Sequence, residues 1–150
     1  MQPFPILFGL LLCLALLVGL YYLGDYVLAQ TVVKQANYAQ ALVKQAKAKS
    51  DLGDQTGAID DYSRAIALYP REPQNYVQRG RLHYALKNYQ QAIADADQAI
   101  ELIPDVYHLL VMGTARDAYS LRGNAREKIG DWQGAEADLR EVDNLTPGWD

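Results

Sequence analysis

The side chains most able to do chemistry are few and scattered. The two histidines, His83 and His108, have no cysteine near them, and the only cysteine, Cys13, lies in an apolar run. Asp60 and Asp61 lack the oxygen-ligand spacing of a calcium loop, and no glycine-rich phosphate loop, zinc helix or nucleophilic-serine turn occurs. The sequence therefore predicts no catalysis, no cofactor and no small-molecule substrate, and it predicts a packing role for His83.

The charge distribution argues against a nucleic-acid partner. The net charge is −4, whereas nucleic-acid-binding domains carry a basic patch. Every charged residue lies at Asp25 or later. The chain therefore consists of an uncharged amino-terminal stretch followed by a mildly acidic domain.

The uncharged stretch has the length of a membrane-spanning helix. Residues 4–23 are 20 consecutive positions without charge, and a helix of that length extends about 30 Å, the thickness of a bilayer's hydrocarbon core. Tyr21, Tyr22 and Tyr26 follow at its end, where tyrosines favour the headgroup layer. We therefore predict a transmembrane helix over 4–23, in contact with the lipid bilayer.

A cleaved signal peptide and a buried soluble helix are the alternatives. V27-L28-A29 before Gln30 resembles a signal-peptidase site, but no Lys or Arg precedes the run, which is longer than a usual export core. Lys34 and later lysines follow the run. The positive-inside tendency therefore favours a single-pass membrane protein whose carboxyl-terminal domain is cytoplasmic.

Residues 25–38 predict a helical connector. Neither proline nor glycine occurs from Asp25 to Leu52. Small or apolar residues recur there at steps of three and four, beginning with Leu28 and Val32, and this spacing traces one face of a helix.

One sequence pattern typical of helices occurs three times after the connector. Its copies end at Pro70, Pro104 and Pro147, and the first two prolines are 34 residues apart. Such a period predicts stacked helix pairs, because one pair cannot bury its apolar face alone. The units are 39–72, 73–106 and 116–149, with an insertion at 107–115.

The repeated positions are similar to those of the tetratricopeptide repeat (TPR). Y76-V-Q-R-G-R-L-H83 and Y119-S-L-R-G-N-A-R126 stand where the family has W-x-x-L-G-x-x-Y, and L42-V-K-Q-A-K-A-K49 is a degenerate copy. The second helices match through an alanine and the residue four positions later: Ala58 with Tyr62, Ala92 with Ala96, and Ala135 with Leu139. The resemblance covers 39–149. It implies an all-α fold, in which an N-terminal transmembrane helix precedes a three-repeat TPR α-solenoid of antiparallel helix pairs.

Glycines and one asparagine mark special backbone positions. We predict that Gly80 and Gly123 lie where the two helices of a unit cross. Glycine lets the two backbones approach closely there, whereas a larger side chain would hold them apart. Gly53, Gly130 and Asn88 are predicted to form the turns between helices, where a left-handed backbone is needed.

An acidic residue recurs at one place in every unit. Asp61, Asp95 and Asp138 are equivalent, and Arg79 and Arg122 precede the glycines of two units. A catalytic acid would not need three copies. We therefore interpret these residues as ion pairs between the first and second helix of a unit. The alternative is that they belong to a functional site.

The TPR resemblance also implies a binding surface. In TPR stacks the first helices line a concave groove, and outward positions of each unit contact ligands. Carried over, the candidate partner-binding residues are Gln40, Val43, Lys47, Gln74, Val77, Arg81, Tyr84, Ser120, Asn124 and Lys128, with Ser50, Asp51, Ala85, Asp117 and Glu127 at the remaining positions. Cations, a tyrosine and amides suit an extended peptide with acidic or amide groups, and a merely solvated face is the alternative.

One subclass of ligand is disfavoured. TPR domains that bind chaperone tails hold the terminal carboxylate with basic and amide residues at defined places. Those places hold Val43, Gln78, Asp117 and Leu121 in this chain, and Lys47 alone fits. The sequence therefore lacks the chaperone-tail clamp.

The insertion 107–115 is the segment that departs most from the repeat pattern. It precedes a first helix, and we expect it to lengthen that helix by about two turns. Either it packs against the second unit, or Tyr107, Leu110 and Met112 form an exposed apolar patch that binds a partner protein or the membrane.

These features predict a non-catalytic scaffold that binds a protein partner at a membrane surface. One amino-terminal anchor with three TPR units resembles the membrane-anchored TPR factors that assemble photosystem I in cyanobacteria and plastids. The resemblance implies assembly or stabilisation of a membrane protein complex in a plasma or thylakoid membrane. Alternatives are an anchored TPR protein facing the periplasm, in envelope biogenesis, secretion or cytochrome maturation, and an exported soluble TPR protein released by cleavage.

Overall fold

The regular structure is helical throughout the described residues. The computed structural model describes the backbone of residues 4–103 and 108–145, and the side chains there except those of 4–18, 20, 24 and 108–111. The helices are α1 (Phe4–Asp51), α2 (Gln55–Leu68), α3 (Pro73–Ala85), α4 (Tyr89–Glu101), α5 (His108–Lys128) and α6 (Trp132–Asn144). The predicted all-α class is confirmed.

The chain divides into two compact units, residues 1–37 and 38–150. In the first unit the described apolar side chains stand in solvent, as Tyr26 and Val32 do at 62% and 59% exposure. Within the described part of the chain, no helix combines the length and the apolar character that crossing a membrane requires.

This finding corrects the prediction of a single-pass membrane protein with cytoplasmic repeats. A spanning helix needs about 20 residues of sustained apolar character. From Tyr21 onward α1 mixes apolar residues with Asp25, Gln30 and Lys34, and the side chains of 4–18 lie outside the described residues. Absence of charge over 20 residues was therefore insufficient for the prediction.

In the second unit the helices pack as successive pairs. Residues 39–51 of α1 pack on α2 through a cluster of Ala39, Leu42 and Ala65, and α3 packs on α4 and α5 on α6. A cluster that contains Ala46, Ala58, Tyr62 and Leu82 joins α1, α2 and α3. The core is thus shared between neighbouring pairs, as stacking requires.

The turns between paired helices use a left-handed residue at one fixed place. Gly53 and Gly130 have φ of 86° and 85°, as predicted, but the corresponding residue of the second unit is Lys87, with φ 63°. Asn88, predicted for this role, has φ −82° and is the N-cap of α4. Lys87 follows Gly53 by 34 residues, so the repeat period identifies the position better than residue type does.

The two crossing glycines lie in tight contacts. A Cβ atom added at Gly80 would lie 2.8 Å from Leu121 Cδ2 and 3.1 Å from Asp95 Cβ. At Gly123 it would lie 3.2 Å from Asp138 Cβ. Both glycines therefore lie where the two helices of a unit approach each other closely, as predicted.

The equivalent aspartates form the predicted ion pairs. Each lies buried on a second helix, and its oxygen lies 2.6 Å from a cationic nitrogen of the first helix of the same unit. The pairs are Lys49–Asp61, Arg79–Asp95 and Arg122–Asp138. The interpretation as helix-to-helix ties is confirmed.

The two arginines also bind the preceding unit, which the sequence did not indicate. Arg79 donates from Nη1 to Ser63 Oγ on α2 at 3.1 Å, and Arg122 donates from Nη1 to Asp97 Oδ1 on α4 at 2.6 Å. Ser63 and Asp97 are 34 residues apart and hold the same place in their units. One guanidinium therefore fixes both the crossing within a unit and the stacking between units.

The insertion lengthens α5 as predicted. The helix begins at His108, about two turns before residue 116. Thr114 Oγ1 donates to Gln74 Oε1 on α3 at 2.9 Å, and Ala115 is buried. These contacts favour packing against the second unit for this part of the insertion. Met112 is half-buried, and Tyr107 and the side chain of Leu110 lie outside the described residues.

His83 is half-buried on α3, in the place of the family's packing tyrosine. Its Nδ1 is buried and has no hydrogen-bond partner among the described residues. Burial lowers the pKa of His83 below its ordinary value; the Asp95 carboxylate opposes this shift and the Arg79 cation adds to it. His83 therefore behaves as a packed neutral side chain.

We predict opposite effects of one substitution at two helical glycines. Gly80→Ala should lower the free energy of unfolding by about 1–3 kcal/mol, because the new methyl group overpacks the crossing of α3 with α4 and α5. Gly113→Ala, where no atom lies within 4 Å of the added Cβ, should raise it by up to about 1 kcal/mol through helix propensity. Urea unfolding followed by circular dichroism measures both. A stabilising Gly80→Ala would contradict the close crossing.

We also predict a pH dependence of stability from His83. The unfolded histidine, with a pKa of about 6.5, takes up a proton at a pH where the folded one, with its lowered pKa, stays neutral. The stability contribution is complete above the unfolded pKa and is lost as the pH falls through the folded pKa. Between pH 7.5 and 5, wild type should lose more unfolding free energy than His83→Gln. Equal losses in urea titrations would contradict the lowered pKa.

Candidate functional site

A surface pocket of the second unit, here called the larger pocket, lies along the first helices of the first two repeats. It has a volume of about 510 Å³. Its lining comes from the end of α1, the start of α2 and the length of α3: Val43, Lys47, Ser50, Asp51, Gln55, Tyr62, Gln74, Gln78, Arg81, Leu82 and Ala85. The α1 side therefore carries Lys47 and Asp51, the α3 side carries two amides and Arg81, and α2 adds Gln55 and the Tyr62 phenol.

A smaller pocket continues the line from α3 to α5. It has a volume of about 230 Å³ and is lined by Arg81, Tyr84, Asp117, Ser120, Leu121 and Asn124. Tyr84 is held in place by an edge-to-face contact with Tyr89, with ring centroids 5.5 Å apart. Arg81 lines both pockets, so the two form one groove along α1, α3 and α5.

Charges in the groove are partly paired within the protein. Arg81 Nη2 lies 2.9 Å from Asp117 Oδ2, an ion pair from α3 to α5. Lys47 has no ion pair recorded among the described residues. Burial, followed by the charge of Asp51, raises the pKa of the Tyr62 phenol, so this hydroxyl stays protonated. The groove can therefore supply charge from Lys47 and hydrogen bonds from the amides and Tyr62.

Most of the residues predicted from the repeat pattern lie along this groove. Val43, Lys47, Gln74, Arg81, Tyr84, Ser120 and Asn124 line one or both pockets. Gln40 and Lys128 are exposed but lie outside both linings. Val77 is completely buried: it packs with Ile66, Ala99 and Ala118 from three neighbouring helices, so it is core rather than surface.

Sequence reasoning missed the contribution of α2. Gln55 and Tyr62 line the larger pocket although they belong to a second helix. The only available signal was Tyr62 itself, a large residue four positions after the packing Ala58. Among the described residues, no three His, Cys, Asp or Glu side chains lie close enough together to hold a metal ion.

Two stretches of the chain match family models described as tetratricopeptide repeat, residues 40–71 and 73–106. These matches agree closely with the first two units deduced from the prolines.

Two known proteins are similar to this chain over part of their own length. The SGT1 homolog of Oryza sativa subsp. japonica is 34% identical over 67% of this chain and 25% of its own length. Hsc70-interacting protein 1 of Drosophila melanogaster is 36% identical over 71% of this chain and 26% of its own length. The chain thus spans about a quarter of the length of these curated relatives.

A solved structure gives the same fold. The second TPR of Spaghetti (RPAP3), bound to HSP90 peptide SRMEEVD, is 25% identical, with a TM-score of 0.66, over 75% of this chain and 96% of that one. Helix pairs, repeat period, family models and this likeness agree. The chain therefore contains tetratricopeptide repeats and has the all-α helical-repeat fold.

Proposed function

We propose that this chain is a protein-interaction module whose groove binds an extended segment of a partner protein. The observation that supports this most is the continuous line of two pockets along α1, α3 and α5, joined at Arg81. Extended peptides are bound in such grooves through their backbone amides and a few side chains.

The lining indicates the chemistry of the ligand. Gln55, Gln74 and Gln78 can each donate and accept hydrogen bonds, as a peptide backbone requires. Lys47 adds a cation that is exposed to solvent. An extended peptide that places a carboxylate near Lys47 and amide groups along α3 therefore fits best.

Chaperone tails are one candidate of this class, because a similar solved structure is bound to HSP90 peptide SRMEEVD. This chain would hold such a tail differently from a full carboxylate clamp. Val43 and Leu121 are apolar and Asp117 is acidic at the clamp places, so Lys47 and Gln78 are the groups left to bind a carboxylate. We expect binding that depends mainly on Lys47.

Assembly of a membrane complex such as photosystem I was the finer prediction from the sequence. It rested on the layout of anchor and repeats, and the relatives named above do not support it. The periplasmic and exported alternatives have no support from them either. The proposal is therefore confined to peptide binding by the groove.

We predict that Lys47→Glu weakens binding of dye-labelled SRMEEVD peptide by about 5- to 25-fold. The substitution removes an exposed attraction of up to about 1 kcal/mol and adds a repulsion of similar size. Fluorescence anisotropy with the full chain measures the dissociation constant.

Lys44→Glu is the matched control, since Lys44 is exposed on the same helix and lies outside both pocket linings. It makes the same change of net charge and should alter the dissociation constant by less than about twofold. Equal effects of the two variants, or no binding by wild type, would contradict the proposed function.

A further inference from the structure

Arg81 is bound by a carboxylate of the groove itself. Its guanidinium bridges from α3 to Asp117 on α5 at 2.9 Å, and the two side chains are 46% and 32% exposed. An ion pair with this much solvent access contributes little free energy. A ligand can therefore compete for either partner, and the pair influences which ligands bind.

The pair leaves the two ends of the groove with different charge. At the α1 end, the exposed Lys47 lines the larger pocket, and Asp51 lines it one turn further along the same helix. At the α5 end, Arg81 is the only cation among the described residues that line the smaller pocket, and Asp117 neutralises it there. The remaining polar groups at that end, Tyr84, Ser120 and Asn124, are uncharged.

An extended peptide that follows the groove must meet both ends. Adjacent packed helices are about 8–10 Å apart, and an extended chain advances about 3.3 Å per residue. Side chains about three residues apart therefore face successive first helices. One ligand carboxylate is favoured beside Lys47 on α1, whereas a second carboxylate about six residues further along, beside Asp117 on α5, would be repelled.

We propose that Asp117 is a specificity-determining residue: with Arg81 it makes the groove select peptides that are acidic at the end facing α1 and basic or neutral at the end facing α5. Peptides acidic along their whole length bind more weakly, because Asp117 repels the second acid and occupies Arg81. This inference rests on the proposed peptide-binding function and names its ligand class.

Two probes test the selection. The peptide SRMEEVD has an acidic end and an arginine near the other end, and SEMEEVD replaces that arginine with glutamate. Both carry the same dye, and anisotropy titrations of the full chain give their dissociation constants. Wild type should bind SRMEEVD about two- to fivefold more tightly, the range expected for one exposed charge pair.

Substitutions of Asp117 should remove or reverse this preference. Asp117→Asn should bring the two dissociation constants to within about 1.5-fold, because Arg81 becomes available to the second acid. Asp117→Lys should favour SEMEEVD. Asp60→Asn, an exposed aspartate of α2 outside both linings, should keep the wild-type preference, and circular dichroism checks that each variant is folded.

The outcomes separate the two proposals. If both peptides bind in a Lys47-dependent way but Asp117→Asn and Asp117→Lys keep the wild-type ratio, the role of Asp117 is wrong and peptide binding stands. If neither peptide binds wild type or either variant, acidic-peptide binding is wrong, and the role of Asp117 is wrong with it.

Discussion

A carboxylate buried in each helix pair must be neutralised by a cation from the neighbouring helix, and this requirement organises the repeats. A buried charge without its partner costs several kcal/mol, whereas a paired one is tolerated. Asp61, Asp95 and Asp138 are almost completely buried, so each fixes where a cation of the first helix must lie. In two units that cation is an arginine that also reaches the preceding unit. The crossing within a pair and the stacking between pairs are therefore set by the same side chain.

The position of the groove follows from this arrangement, because tie residues and groove residues lie on opposite sides of each first helix. On each of them, the residue that pairs with the buried aspartate lies two positions from a groove residue. The pairs are Lys49 with Lys47, Arg79 with Arg81, and Arg122 with Asn124. Residues two apart on a helix point to nearly opposite sides. One side of each helix therefore builds the stack while the other is available to a partner, and a change on the groove side leaves the ties intact.

Features that recur with the repeat period could be predicted from the sequence. Equivalent aspartates, crossing glycines and the lengthened α5 depend on local spacing, and the structure contains all three. Residues whose surroundings depend on several helices could not be predicted in this way. Val77 holds a groove position in the pattern but is covered by three neighbouring helices, and Lys87 takes the left-handed turn position although residue type favoured Asn88. The uncharged run was likewise insufficient for the membrane prediction, since absence of charge does not determine what surrounds a helix.

The most direct test of the account is native-state hydrogen exchange of Arg122→Gln beside Arg140→Gln. Arg122 ties Asp138 and Asp97 together, whereas Arg140 forms only an exposed pair with Glu136 on α6 among the described residues. Loss of the Arg122 ties should lower the protection of α5 and α6 amides by about 1–3 kcal/mol, although Arg126 Nη1 still lies 2.9 Å from Asp138 Oδ2. Arg140→Gln should change the protection by less than about 0.5 kcal/mol. Equal, small effects of the two variants would contradict the claim that the buried ion pairs hold the repeats in register.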